Sequence, residues 1–296
     1  MATHNKARVI GYLVDDPKIL KTDDGFRKIV MQIMTTRRSL RGNEDNVFEP
    51  VLIYCDGDEK QEMIKRLESL KKMDLVDITG VLNILSINKP HRCPSCGHVD
   101  IRYQGTATFI YPLSVIKINN LEGAIAPGEV LASHYKEISH EILIMGTVVN
   151  DPEIGISKSD GTKYCKYKLG VDRKYYIKTQ SDIYADYPWV YSYGNQAERD
   201  ALYLQNGSVI ILTGYIHVRK AEVPATCSLC QTKYKYNDSV TDLVPYSVEY
   251  LSNFLTDADI AAKEKLEKIS LYAYYGFAYI GHNNKEWFVA TQALIW

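Results

Sequence analysis

The chain has 296 residues, enough for two domains of ordinary size. Hydrophobic residues make up 46% and charged residues 24%, which is globular composition; no run of about 18 apolar residues reads as a membrane span, and the opening Met1-Ala2-Thr3-His4-Asn5-Lys6 lacks an apolar leader, so a cytoplasmic location is expected. With 35 basic and 36 acidic residues the net charge is −1, which excludes polyanion binding through bulk charge and leaves it to local patches.

In chain order, Ala7 to Val14 alternates as a first strand and stops at Asp16-Pro17. Residues 26–36 follow a Gly turn as a second strand, 47–55 are a third, 59–71 carry a short helical pattern, and 74–84 and 109–118 are a fourth and a fifth strand. The segment 119–137, with Asn119-Asn120, Gly123 and Pro127-Gly128, reads as a linker between a unit at 1–118 and one at 138–252. The second unit repeats the order: strands at 141–149, 162–172 and 187–193, a helix near 196–204, and strands at 208–218 and 243–251. A tail, 253–296, opens with the helix cap Thr256-Asp257 and continues into an aromatic-rich stretch whose role the sequence leaves open.

Residue markers confirm that the units are copies. Gly11 and Asp16-Pro17 recur as Gly146 and Asp151-Pro152, Gly25 as Gly161, Arg37 as Arg173, Thr79-Gly80 as Thr213-Gly214, and Cys93/Cys96 as Cys227/Cys230. Three strands, a helix and two strands, twice over, predict a mainly β chain of two tandem OB-fold five-stranded Greek-key barrels with a helical and aromatic C-terminal tail.

The second unit resembles the bacterial single-stranded DNA-binding protein family. The resemblance rests on Gly146, Asp151-Pro152, Gly161, Leu169-Gly170-Val171-Asp172-Arg173, Trp189, Tyr193-Gly194-Asn195-Gln196-Ala197-Glu198, Tyr203-Leu204, Gly207 and Thr213-Gly214. The first unit carries a thinner version in Gly11, Asp16-Pro17, Gly25, Arg37 and Gly80. The resemblance implies sequence-tolerant single-strand binding without catalysis, stacking aromatics on the third strand, and pairing of two chains into a four-barrel homodimer. Two departures stand out. The family's acidic tail with an apolar tip is missing, the chain ending Ala293-Leu294-Ile295-Trp296, and the usual form has one barrel and no C-x-x-C. A duplicated, cysteine-bearing version points to a specialised protein of a phage or mobile element.

The residues themselves suit a single strand, which is held by aromatic faces and an electropositive groove. In the second strand of unit two, Cys165, Tyr167, Leu169 and Val171 share the face expected inside the barrel, and Tyr164, Lys166 and Lys168 the outer one. Tyr187, Trp189, Tyr191 and Tyr193 share one parity of the next strand; four rings would crowd a small barrel, so an outward orientation is expected over a core role. Segment 163–178, with Arg173 and Lys174 among its cations, is net +5; so is 27–41, with Lys28, Arg37, Arg38 and Arg41. Tyr175 and Tyr176 are placed to cap the groove. Unit two is expected to dominate affinity, unit one to add charge.

The two C-x-x-C pairs, in a chain without an export signal, favour metal or redox chemistry over disulfide staples. Structural zinc takes four ligands. Either Cys93, Cys96, Cys227 and Cys230 share one zinc and clamp the barrels, which is favoured, or Cys93 and Cys96 take His91 or His98 instead. Cys55 and Cys165 read as small core residues. No nucleophile, carboxylate pair or phosphate loop suggests an enzyme. The expected function is single-stranded DNA binding in replication, recombination or DNA transfer; the alternatives are single-stranded RNA binding and a protein-interaction scaffold, and no membrane partner is expected.

Overall fold

Alternation between buried and solvent-facing side chains runs along most strands and fixes which face of each closes on the core. The structure is a computed structural model and describes residues 4–23, 25–38, 46–118, 125–157, 161–173 and 184–251. The tail 253–296 read from the sequence lies outside the described residues.

The elements are β1 His4–Leu13, β2 Lys18–Lys21, β3 Phe26–Arg38, β4 Asn46–Asp58, α1 Glu62–Ser69, β5 Leu75–Arg92 and β6 Val99–Lys117. Within the segment read as linker, α2 Pro127–Val130 runs into a π-helical turn, Leu131–Tyr135. There follow β7 His140–Val148, β8 Glu153–Ile156, β9 Lys163–Asp172, β10 Ala185–Asp186, β11 Trp189–Tyr193, α3 Asn195–Tyr203, β12 Val209–Thr226 and β13 Lys233–Tyr250.

Two barrels form. In the first, β1 pairs with β5, β5 with β6, β6 with β4, β4 with β3, and β3 returns to β1 at Tyr12–Met34. In the second, β7, β12, β13, β11 and β9 do the same and close at Thr147–Gly170. The repeated glycines have steric reasons. A Cβ at Gly11 would lie 2.3 Å from the Met34 carbonyl oxygen, and one at Gly146 2.6 Å from that of Gly170, so these positions let the closing strands approach. Gly80 and Gly214 sit at matching register shifts in the β5–β6 and β12–β13 ladders, where a Cβ would lie 2.2 Å from a facing carbonyl oxygen in each.

The barrels join through their first strands. β1 and β7 pair antiparallel, with Ala7 opposite Ile142, both fully buried. That pair is separated by the repeat distance itself, so it lies on a local two-fold axis relating the copies, and one apolar core runs through both barrels.

The strands after each helix are longer than the sequence pattern suggests. Expected to break near residues 84 and 218, β5–β6 and β12–β13 instead run on as two-stranded ribbons to the cysteine pairs. Pro90 and Pro224 are tolerated there because, among the described residues, each ribbon strand has one edge without a ladder partner.

Candidate nucleic-acid interface and cysteine cluster

β9 and β11 face each other antiparallel, with Trp189 opposite Lys168, Tyr191 opposite Lys166 and Tyr193 opposite Tyr164. Cys165, Tyr167, Leu169 and Val171 of β9 are buried, as are Val190 and Ser192 of β11. The intervening residues, Tyr164, Lys166, Lys168, Trp189, Tyr191 and Tyr193, are partly exposed on the opposite face, and Tyr187 beside them is exposed. The predicted rings therefore lie outward. Tyr167 directs its phenol inward to Asp200, a buried carboxylate that also accepts from Tyr250 and Gln196 and ties α3 to the barrel.

Cations are layered on these rings. Lys168 Nζ is 5.0 Å and Lys166 Nζ 5.2 Å from the centroid of the Trp189 ring. Tyr164 and Tyr191 pack with centroids 5.8 Å apart. One carboxylate intrudes: Glu153 Oε2 accepts from Lys166 Nζ at 2.7 Å. Arg219 of β12, absent from the candidate set read in the sequence, has its guanidinium carbon 5.2 Å from the centre of the Tyr191 ring.

Two predicted groove cations are elsewhere. Arg173 is a correction: its side chain is 4% exposed, forked onto Asp186 at 2.7 and 2.8 Å, and its Nη2 donates to the carbonyl of Ile84 in the other barrel at 2.6 Å. Arg37 is the matching correction: it is buried, paired with Glu49, and stacked 4.0 Å from the centre of the Tyr215 ring of the second barrel. Both arginines follow the end of the closing stretch of their strand, where the chain meets the neighbouring barrel, so each is taken up at the seam. His217 adds a 2.5 Å contact to Glu49. Burial alone would raise Glu49; the hydrogen bonds from His217 and Arg37 outweigh it and hold the carboxyl below its ordinary range.

Lys28 is partly exposed on β3, across from Asp56. The side chain of Arg38, and Arg41, Lys174, Tyr175 and Tyr176 altogether, lie outside the described residues. The first barrel's counterpart of the ring-bearing face presents Val30, Gln32, Leu52 and Tyr54, partly or fully exposed. Among the described residues it has no equivalent of the lysines over Trp189.

The second cluster lies where the ribbons end. Cys93 Sγ is 3.7 Å from Cys230 Sγ, and Cys96 Sγ 3.6 Å from Cys227 Sγ. All four sulfurs fall within 4.8 Å of one another and could hold a metal ion. Each pair sits in a tight loop: Gly97 N–H donates to Cys93 O and Gln231 N–H to Cys227 O, both at 3.0 Å. The left-handed backbone this needs falls on Gly97 in one copy and on Gln231, φ 59°, in the other. The Thr232 hydroxyl, 3.2 Å from Cys230 Sγ, pulls that thiol down to about 6. His91 turns away, stacked on Tyr236 at 4.2 Å and bonded to the Tyr234 hydroxyl. Lys89 and Arg102 of one ribbon both reach Asp238 of the other, and Asp100 accepts from Ser228.

Comparison with known proteins agrees with this architecture. The model of the Single-strand binding protein family matches residues 139–242. A Clostridium acetobutylicum protein, Single-stranded DNA-binding protein 2, is 30% identical over 80 residues, 27% of this chain and 59% of that protein. Single-stranded DNA-binding protein 3 of the same organism is 26% identical over 112 residues, 38% of this chain and 70% of the other. The chain thus spans under two thirds of the first of these relatives. In crystal structures, the wild-type single-stranded DNA binding protein from Thermus aquaticus superposes with a TM-score of 0.57 at 14% identity, covering 84% of this chain and 94% of that one. A deletion mutant of it gives 0.56 at 13% identity. These likenesses show the fold, two barrels included, since the matched share of the chain exceeds either barrel. Over residues 139–242, its second barrel, the chain is similar to the Single-strand binding protein family.

Proposed function

We propose that the chain binds single-stranded DNA with little sequence preference on the outer face of β9 and β11. The observation that carries the reading is the outward row of Trp189, Tyr191 and Tyr193, with two lysine ammonium groups of β9 over the Trp189 ring. Every base offers a π-face, so stacking holds a strand without reading it, at ~1–3 kcal/mol per base, and cations along the same face neutralise phosphates. Single-strand binding proteins are the standard illustration of this mode. A duplex hides its base faces and gains nothing from such a platform. Binding needs no chemical step, which fits a protein that protects or organises strands in replication, recombination or DNA transfer. The test is fluorescence anisotropy with a labelled oligo-dT, its RNA counterpart and a duplex of equal length. The reading expects the DNA strand to bind far more tightly than the duplex and to weaken steeply with salt; equal affinity for duplex and strand contradicts it.

The same reading assigns a structural zinc ion to Cys93, Cys96, Cys227 and Cys230. A tetrahedron of sulfurs ~2.3 Å from zinc has edges of ~3.8 Å, and the Cys96–Cys227 and Cys93–Cys230 sulfur pairs, at 3.6 and 3.7 Å, fit those edges and lie well beyond disulfide length. When bound, the ion supplies a cross-link and no reactivity, because four protein thiolates leave no open position. The chain's own residues prepare the site: paired ribbons bring the cysteines together, and Asp238 and Asp100 lock one ribbon to the other.

A further inference from the structure

Arg219 stands out because nothing in the sequence marks it as part of a site. It lies on β12, two strands away from β11, in the stretch where the β12–β13 ribbon leaves the barrel. Its Nε donates to Asp242 Oδ2 at 2.5 Å; the arginine side chain is 36% exposed and the aspartate 1%. The second carboxylate oxygen of Asp242 is buried and lacks a hydrogen-bond partner. Among the described residues the two terminal nitrogens of Arg219 make no hydrogen bond, while its guanidinium carbon lies 5.2 Å from the Tyr191 ring centre.

A buried carboxylate is costly unless a cation answers it, so Asp242 holds the guanidinium by one edge. A planar guanidinium held at its Nε and lying over a ring has its remaining N–H groups oriented. That is the geometry for forked contact with a phosphodiester, which a mobile lysine ammonium does not provide. At the matching register of the two ribbons the first barrel has Leu85 and Phe109 in these two places, so the device exists in one copy only.

We propose that Arg219 anchors a phosphate of the bound strand beside the base stacked on Tyr191, and that Asp242 is the positioning residue that aims it. The proposal rests on the single-strand reading of the β9–β11 face. It extends that face across β13, so that one side of the groove stacks bases and the other pins the backbone.

Salt titrations of labelled oligo-dT between 50 and 200 mM NaCl test it with wild type, R219A, R219K and D242N. Each phosphate contact contributes about 0.7 to the logarithmic salt slope of a single strand. R219A is expected to lose about tenfold in affinity and about 0.7 of that slope. R219K should keep the slope and recover only part of the affinity, and D242N should keep the slope while weakening binding. Because R219A leaves the buried Asp242 without its cation, the double variant R219Q/D242N, which removes both charges, serves as the folded control and should show the same loss of slope. If wild type binds and both charge-removing variants match it in affinity and slope, the anchor is wrong and the platform stands. A D242N protein indistinguishable from wild type removes the positioning role. If wild type itself fails to bind, the single-strand reading falls.

Discussion

Lys168 and Trp189 face each other across β9 and β11 with the ammonium nitrogen 5.0 Å from the ring centre. The pair brings the two forces that hold a single strand, charge and stacking, to one spot, and it recurs one step along as Lys166 above the same ring.

The rings should therefore dominate affinity. Trp189→Ala and Tyr191→Ala are each expected to weaken oligo-dT binding by ~1–3 kcal/mol, about 5- to 150-fold, with little change in melting temperature because both side chains lie on the solvent face. On the first barrel, Gln32→Ala, at the position matching Lys168, should leave affinity within about twofold. Anisotropy and thermal melts measure both; equal losses from the two barrels would show that the strand contacts each alike.

Glu153 competes with phosphate for Lys166. Glu153→Gln should tighten binding about two- to fivefold at low salt, as expected for release of one exposed ion pair, and the gain should fade above about 0.5 M salt. Weaker binding of the variant would mean that the carboxylate aims the lysine rather than restraining it.

The four cysteines make a prediction about composition. Purified protein should hold one zinc per chain by elemental analysis. Removing it with a chelator, or by Cys93→Ser, should lower the melting temperature by at least about 5 °C, because metal bound only by the folded chain is folding energy. Half a zinc per chain, or two, would contradict a site shared between the copies.

His140 ties stability to pH. It is fully buried at the seam, where Nε2 accepts from the Ile216 N–H at 3.1 Å, which leaves its proton on Nδ1, 3.1 Å from Thr35 Oγ1. Burial pushes its pKa down to about 4, so the folded chain keeps it neutral while the unfolded chain takes up a proton below about 6.5. Its contribution is intact above pH 6.5 and is lost progressively as pH falls toward 4, up to ~3 kcal/mol in all. Urea unfolding of wild type and His140→Gln at pH 7 and pH 4.5 measures it. Wild type should lose more stability than the variant; equal losses would place the acid sensitivity elsewhere, at the cysteine cluster for example.

Period-two patterns and the repeat carried much of the architecture. The parity of Cys165, Tyr167 and Leu169 against Tyr164, Lys166 and Lys168 gave the correct face of β9, because a strand with one buried side has no other stable register. The cysteine set was legible because both copies carry the same pair. The arginines were not. Counting charge in a segment cannot tell a guanidinium that meets solvent from one that meets another barrel, and Arg37 and Arg173 meet the seam. A signal did exist: each has an acid on the next strand, Glu49 and Asp186, and those acids recur at nearly the same spacing as the arginines. Arg219 and Asp242 left no such mark, because they meet across a ribbon whose length the proline residues disguised.

Photo-crosslinking tests the central claim most directly. Oligo-dT carrying bromodeoxyuridine, irradiated on the intact protein and mapped by mass spectrometry, reports which side chains touch the bases. The account predicts adducts on Trp189, Tyr191 and neighbouring rings of the second barrel. Adducts confined to Tyr54 and its surroundings in the first barrel, or to the ribbon ends, with none between residues 187 and 193, would contradict it.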